Sequence, residues 1–222
     1  MKWYVAAITC GVVALPAALR AQGVKFTVAG LASQEIVQSH VDATSTRFTG
    51  PILGLEGILI SDRLLVRVRY GQGRINPKGG DGGGLLGLGT ADPRDVVEGE
   101  ALVGYRATQW LTLWAGPSAR AYTMGDSDER WLIWTGRATA RGTLLPGRMQ
   151  TFIELYGAFS GNVGDPPLHA GGRGANGGLE VRLGETGSFW GRLGYRMEST
   201  HATGLRETVE SVTLSIIYGL PQ

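Results

Sequence analysis

The segment Arg63–Tyr70, RLLVRVRY, alternates two kinds of side chain with a period of two residues. Successive side chains of an extended chain point to opposite faces, so this segment is predicted to be a strand. One face carries Leu64, Val66, Val68 and Tyr70. The other carries Leu65, Arg67 and Arg69. A strand with one apolar face and one cationic face indicates a wall between two unlike environments.

The same alternation recurs along the chain and predicts ten strands. They lie near 24–37, 46–60, 63–75, 96–107, 110–123, 130–143, 149–160, 175–184, 188–199 and 207–219. Most have ten or more residues, whereas strands of globular proteins average about five or six. Strands of about 9–11 residues are the length that crosses a membrane at a tilt.

The connections between these strands differ on the two sides of the predicted sheet. Short connections follow the even strands: Ser61-Asp62, Thr108-Gln109, Leu144–Arg148 and Glu185–Gly187. Longer segments rich in Gly, Pro and Asp follow several odd strands: Gln38–Ser45, Asn76–Asp95 and Gly161–Gly174. This is the layout of an up-and-down barrel that has turns on one side of a membrane and loops on the other.

Aromatic residues cluster toward both ends of the predicted strands. Near the short turns lie Tyr105, Trp110, Phe189 and Tyr218. Near the longer loops lie Phe48, Tyr70, Tyr122, Trp131, Trp134 and Phe159. Aromatic rings favour the two membrane–water interfaces, so two outward-facing belts are expected.

Over residues 24–219 the chain resembles the small outer-membrane β-barrel proteins of Gram-negative bacteria, in architecture rather than in a specific motif. The fold class expected is all-β, an up-and-down antiparallel transmembrane barrel of about ten strands, within roughly eight to twelve. The resemblance implies residence in the bacterial outer membrane, contact with its lipid and lipopolysaccharide, and insertion by the barrel-assembly machinery.

The first 22 residues are predicted to be a cleaved secretory signal peptide, which leaves residues 23–222 as one barrel domain. Lys2 supplies the positive start, Trp3–Leu19 the apolar core, and Ala21 a small residue before the cut. Cys10 is the only cysteine and falls inside this leader. The exported chain is therefore expected to have no disulfide and no thiolate chemistry.

Charged residues gather on the face opposite the apolar one, and this face must point inward, because a charge facing lipid costs about 2–4 kcal/mol at mid-membrane. The residues predicted to line the lumen are Glu56, Arg67, Arg69, Glu98, Glu100, Arg106, Arg120, Arg137, Arg141, Glu154, Glu180, Arg182, Arg192, Arg196 and Glu198. Two interpretations stay open. Paired Glu and Arg side chains would fill a narrow lumen. An excess of Arg over Glu would instead favour a narrow channel for anions.

Catalytic chemistry has weaker support in the sequence. His40, His169 and His201 all fall in or near the longer loops, with Asp42 close to His40 and Asp165 close to His169. The alternative function is therefore an outer-membrane hydrolase, similar to the omptin proteases or the lipid-acyl hydrolases. No motif of either family is present, and a non-enzymatic structural, adhesive or narrow-channel barrel is the expected function.

Composition argues against several other classes. Lys and Arg total 21 and Asp and Glu total 19, and removing Lys2 and Arg20 with the leader balances the charge. We therefore expect no nucleic-acid partner. No cofactor is expected either, because the glycine-rich stretch Asn76–Gly89 lacks the Gly-Lys-Ser/Thr ending of a phosphate loop. No metal is expected, because the His, Asp and Glu residues show no ligand spacing. A soluble periplasmic barrel with a small ligand remains a further alternative.

Overall fold

Ten β-strands make up most of the residues described by the computed structural model, which are 24–41, 44–78, 92–124, 127–164, 168–184 and 188–219. The strands are β1 (Lys25–Val41), β2 (Thr44–Ser61), β3 (Leu64–Pro77), β4 (Arg94–Arg106), β5 (Leu111–Met124), β6 (Ser127–Leu145), β7 (Met149–Val163), β8 (Leu168–Leu183), β9 (Phe189–Ala202) and β10 (Leu205–Tyr218). The predicted leader lies outside the described residues and stays a prediction. Within those residues there is no helix of the length and apolarity needed to cross a bilayer.

The strands form a closed up-and-down antiparallel barrel, so the predicted fold class is confirmed. Each strand pairs with the next along the chain, and β1 pairs with β10 from Val28–Tyr218 to Val41–Leu205. Closure gives every strand two hydrogen-bonded neighbours, and no sheet edge is left open. β1 begins and β10 ends at the same end of the barrel, here called the terminal end; the opposite end is called the distal end.

The strands continue farther toward the distal end than the sequence predicted. The predicted loops Gln38–Ser45 and Gly161–Gly174 belong mostly to β1, β2, β7 and β8. Gly and Ser give a weak strand signal in a sequence, but here the neighbouring strands supply the backbone hydrogen bonds that hold these residues extended. The predicted loop Asn76–Asp95 is largely outside the described residues.

One irregularity in the wall changes which residues face inward. In the β6–β7 pair, Trp134 is opposite Ser160 and Thr135 is opposite Ala158, so Phe159 is an extra residue in β7. Such a bulge places two residues against one. Beyond it, Gly161 and Val163 face the interior, and Phe159 projects outward with 67% of its surface exposed.

The outer wall is apolar over most of its height. Leu53, Leu55, Leu193, Leu214 and Ile216 are among the large apolar side chains exposed there. A soluble protein seldom exposes so large a contiguous apolar surface. Near the terminal end, Tyr105, Trp110, Phe189 and Tyr218 face outward as predicted.

The distal aromatic belt was predicted wrongly for three of its six members. Tyr70, Trp134 and Phe159 face outward, but Phe48, Tyr122 and Trp131 are buried inside the barrel. The reason is strand periodicity. Tyr122, for example, is two residues from the inward Arg120 and therefore lies on the same face.

The interior consists of apolar layers at both ends and a charged layer between them. At the terminal end, one cluster contains Ala29, Leu31, Trp190 and Ile217, and another contains Ile60, Leu65, Leu102 and Trp114. At the distal end a larger cluster, here called the distal apolar layer, contains Val37, Phe48, Ile52, Ile75, Val96, Tyr122, Trp131, Ile133, Val163 and Val209. The charged layer is therefore enclosed from both ends.

Candidate functional site

The charged layer brings together most of the residues predicted to line the lumen. Inside it lie Glu56, Arg67, Arg69, Glu98, Glu100, Arg120, Arg137, Arg141, Glu154, Glu180, Arg192, Arg196 and Glu198. Arg106 and Arg182 are placed differently, half-buried near the terminal end. The Arg182 Nη1 donates to the Gly147 carbonyl oxygen at 3.4 Å, in the turn between β6 and β7.

The first of three groups in this layer joins Arg67 and Arg137 to Glu100 and Glu154. Arg67 donates to both oxygens of Glu154, at 2.8 and 3.3 Å, and its Nε lies 2.9 Å from Glu100. Arg137 bridges the same two carboxylates, at 3.2 Å from Glu154 and in close contact with Glu100. Each guanidinium thus holds two carboxylates, and Thr139 donates a further hydrogen bond to Glu154 at 2.7 Å.

The second group joins Arg141 and Arg192 to Glu56 and Glu180. Both arginines bind the buried Glu180, at 2.7 and 2.8 Å, and Arg192 also lies 3.1 Å from Glu56. The Phe152 ring lies below both guanidinium groups, 6.0 Å from that of Arg141 and 5.3 Å from that of Arg192. Ring contact and ion pairing together hold these cations away from water.

The third group is centred on Glu98 and is the most connected. Its carboxylate binds Arg120 at 2.7 Å, Arg69 at 3.1 Å and Arg196 at 3.2 Å. Additional carboxylates surround these arginines. They are Glu35, which contacts Arg196 closely and lies 3.7 Å from Arg120, Glu198 at 3.6 Å from Arg196, and Glu207 at 3.5 Å from Arg120.

Two members of this third group were missed from the sequence. Glu35 and Glu207 are 0% and 2% exposed. The alternation of the strand did indicate that Glu35 faces inward, because it is two residues from both Ser33 and Val37, which face the interior. With these two included, the three groups contain seven arginines and eight glutamates. The sequence predicted nine Arg and six Glu, but Arg106 and Arg182 lie outside these groups. The charges of this layer are thus close to balanced.

The distal apolar layer lies directly against the third group. Tyr122 donates its hydroxyl to Glu207 at 2.8 Å, from β5 to the opposite strand β10. Its ring belongs to the apolar layer with Phe48 and Trp131. The guanidinium of Arg94 lies 4.1 Å from the Phe48 ring and 5.7 Å from the Tyr122 ring. Aromatic rings therefore cover the charged layer on its distal side.

Little free space remains in the charged layer. Two cavities of about 60 and 70 Å³ lie there, and side chains of Arg69, Glu100, Arg137, Tyr156 and Arg196 line both. Each cavity has room for a few water molecules between polar partners. This is far smaller than the lumen of a large porin, which holds an aqueous channel.

The three histidines lie outside the lumen, toward the distal end. His40 and His201 are both cross-strand neighbours of Arg206, and His169 is opposite Asn162. Asp42 and Asp165, the acids suggested as their partners, lie outside the described residues. Among the residues that are described, no three His, Cys, Asp or Glu side chains are grouped to hold a metal ion.

No protein-family model and no curated protein sequence matches the chain. Among solved structures, the translocator domain of the autotransporter NalP from Neisseria meningitidis is similar at 11% identity and a TM-score of 0.47, covering 97% of this chain and 96% of that one. The β domain of the Bordetella autotransporter BrkA has 11% identity and a TM-score of 0.44, over 87% and 99% of the two chains.

The attachment invasion locus protein Ail of Yersinia pestis is similar at 11% identity, with a TM-score of 0.38 and coverage of 87% and 99%. These likenesses concern the fold and transfer no function. The closed antiparallel barrel, with an apolar exterior and a charged interior, has the architecture of small outer-membrane β-barrel proteins.

Proposed function

We propose that this protein is a non-enzymatic, integral outer-membrane barrel whose lumen is closed, and that its role is structural or adhesive and is performed by its outer surfaces. The observation that carries this proposal is the packing of the lumen. Three ion-paired groups fill its middle, and aromatic and aliphatic side chains cover them at the distal end. A solute that entered would have to break buried ion pairs, which costs several kcal/mol each.

Insertion in the outer membrane is supported by the contrast between the two faces of the wall. Leucines, valines and isoleucines cover the outside, whereas the arginines and glutamates of the three groups face inward. A soluble carrier barrel would have the reverse arrangement, with an apolar cavity for its ligand. The predicted leader would supply the export that this location requires.

The narrow anion channel suggested by the sequence has less support. A channel needs an open path and, for anion preference, unpaired cations along it. Here each of the seven arginines in the charged layer lies within 3.2 Å of at least one carboxylate oxygen. The near-equal numbers of Arg and Glu favour ion-paired side chains that fill the lumen over an open channel.

A solute-release assay tests the proposal. The folded protein is placed in liposomes loaded with sugars of graded size, and its insertion is checked by heat-modifiable migration on a gel. We expect the liposomes to retain even the smallest sugar. Release of small sugars by the heat-modifiable form would refute a closed lumen. Extraction of the protein from cells without detergent would refute membrane insertion.

A further inference from the structure

The outward side chains of β8, β9, β10, β1 and β2 form cross-strand rows whose character changes with height. Near the terminal end, one row contains Leu179, Leu193, Leu214, Ala32 and Leu53. The next row toward the terminal end contains Val181, Gly191, Ile216, Gly30 and Leu55. These rows are wholly apolar and suit the hydrocarbon of a bilayer.

Two rows near the distal end are polar and cationic. One contains Arg173, Ser199, Thr208, Gln38 and Arg47, and Lys78, the residue after β3, continues it by a backbone hydrogen bond to Arg47. The next contains His201, Arg206, His40 and Ser45. We call these two rows the cationic patch. They are two residues apart on each strand, which is about 7 Å.

Neither row of the patch contains an Asp or Glu. Among the described residues, the outward acid on this wall is Glu210, one row nearer the terminal end, where Tyr195 donates a hydrogen bond to it. The outward Arg74 on β3, the strand next to β2, differs in having the carboxylate of Asp95 at 3.8 Å. The arginines of the patch therefore have no carboxylate within their own two rows.

The patch also has a defined shape. The His201 ring lies over Gly171 of β8, where an added Cβ would be 3.1 Å from two ring atoms. Gln38 donates to Ser45 at 3.4 Å and so links the two rows. Arg47, Arg173 and Arg206 are exposed around these groups. Guanidinium groups beside hydroxyl and imidazole groups match the oxygens of a phosphate.

We propose that this patch binds the phosphorylated headgroup of a lipid in the outer leaflet, whose acyl chains lie against the apolar rows below. Two observations favour a lipid over a soluble anion. The patch faces sideways, on the wall that is in contact with the membrane, and the apolar rows lie on the same five strands, two mixed rows nearer the terminal end. The proposal rests on the proposed function, with the distal end of the inserted barrel at the cell surface.

The test uses native mass spectrometry of the full exported chain released from nanodiscs of phosphatidylcholine, with or without a minor fraction of diphosphorylated lipid A. We expect retained lipid A on the wild type. The triple variant Arg47→Gln, Arg173→Gln, Arg206→Gln should bind it at least about tenfold more weakly, because each basic residue near a membrane surface contributes to anionic-lipid binding. The matched control is Arg74→Gln on β3, which lies outside the two rows and pairs with Asp95, and which should retain lipid A like the wild type.

Each other outcome contradicts a specific claim. Equal retention by wild type and triple variant, or an equal loss in Arg74→Gln, would overturn the patch. Equal retention of dephosphorylated lipid A would overturn phosphate recognition. Displacement of lipid A by inorganic phosphate alone would indicate a soluble-anion site instead. Failure to insert in plain phosphatidylcholine would refute the proposed function itself, whereas insertion without preference for lipid A would refute only this inference.

Discussion

Arg196 on β9 binds Glu98 on β4, the strand diametrically opposite in the ten-strand barrel, with 3.2 Å between Nη2 and Oε2. Arg120 of β5 binds the same carboxylate, so Glu98 connects the two halves of the wall through the lumen. A contact of this kind requires the lumen to be narrow enough for side chains of opposite strands to meet. It is the geometric basis for regarding the charged layer as a filling.

Glu98→Gln should lower the free energy of unfolding by about 3–5 kcal/mol, because it leaves three buried arginines short of a carboxylate. Denaturant titration in detergent micelles measures this change. Asp95→Asn on the same strand is the control. Its pair with Arg74 is more than 60% exposed on both side chains, and we expect a change of less than about 1 kcal/mol. Equal effects at the two sites would contradict a buried network.

The cost of an arginine on the outer wall should depend on its depth in the membrane, and two substitutions on the outward face of β9 test this. Leu193→Arg lies in an apolar row and should cost about 2–4 kcal/mol of folding free energy into bilayers. Ser199→Arg lies in the cationic patch, six residues nearer the distal end, and should cost about 0–1 kcal/mol. Reversible folding into lipid vesicles measures both. Similar costs would mean that the wall does not pass from hydrocarbon to headgroup between these positions.

The contact between the distal apolar layer and the charged layer depends on one hydroxyl. Tyr122→Phe keeps the ring and removes the hydrogen bond to the buried Glu207, so we expect a loss of about 1–3 kcal/mol in unfolding free energy. Tyr70→Phe removes an exposed hydrogen bond to Gln72 and serves as the control, with little expected effect. An unchanged free energy of unfolding in Tyr122→Phe would show that Glu207 does not need this hydrogen-bond donor.

Orientation is testable by cysteine labelling, since the only natural cysteine, Cys10, falls in the predicted leader. Thr203→Cys places a thiol in the β9–β10 turn at the distal end and should react with a membrane-impermeant maleimide on intact cells. Ser188→Cys at the terminal end should react only after the outer membrane is breached. The reverse result would place the distal end in the periplasm.

Alternation made the faces of the wall predictable from the sequence. Arg67 and Val66 project to opposite sides in the structure as RLLVRVRY indicated. The same rule could have placed Phe48 inside, because it is an even number of residues from the inward Glu56. The prediction instead placed Phe48 at a membrane interface, as aromatic rings prefer. In the structure, strand periodicity decides its direction, and the ring lies inside.

Other features were beyond a sequence-based prediction. The bulge at Phe159 reverses the alternation in β7, so Val163 faces inward although the pattern before the bulge would place it outward. The ion-pair partner of each charged side chain could not be predicted from the sequence either. Arg67 binds Glu154 across the lumen because barrel closure and register bring β3 opposite β7, and no spacing in the chain encodes that meeting.

Ion conductance across a planar bilayer is the most direct test of the closed lumen. The account predicts that folded wild-type protein produces no conductance steps. The triple variant Phe48→Ala, Trp131→Ala, Arg137→Ala, which removes part of the distal apolar layer and one cross-lumen cation, should conduct at the same protein amount and thereby confirm insertion. Discrete steps from the wild type, with anion selectivity, would contradict the account and support the channel interpretation.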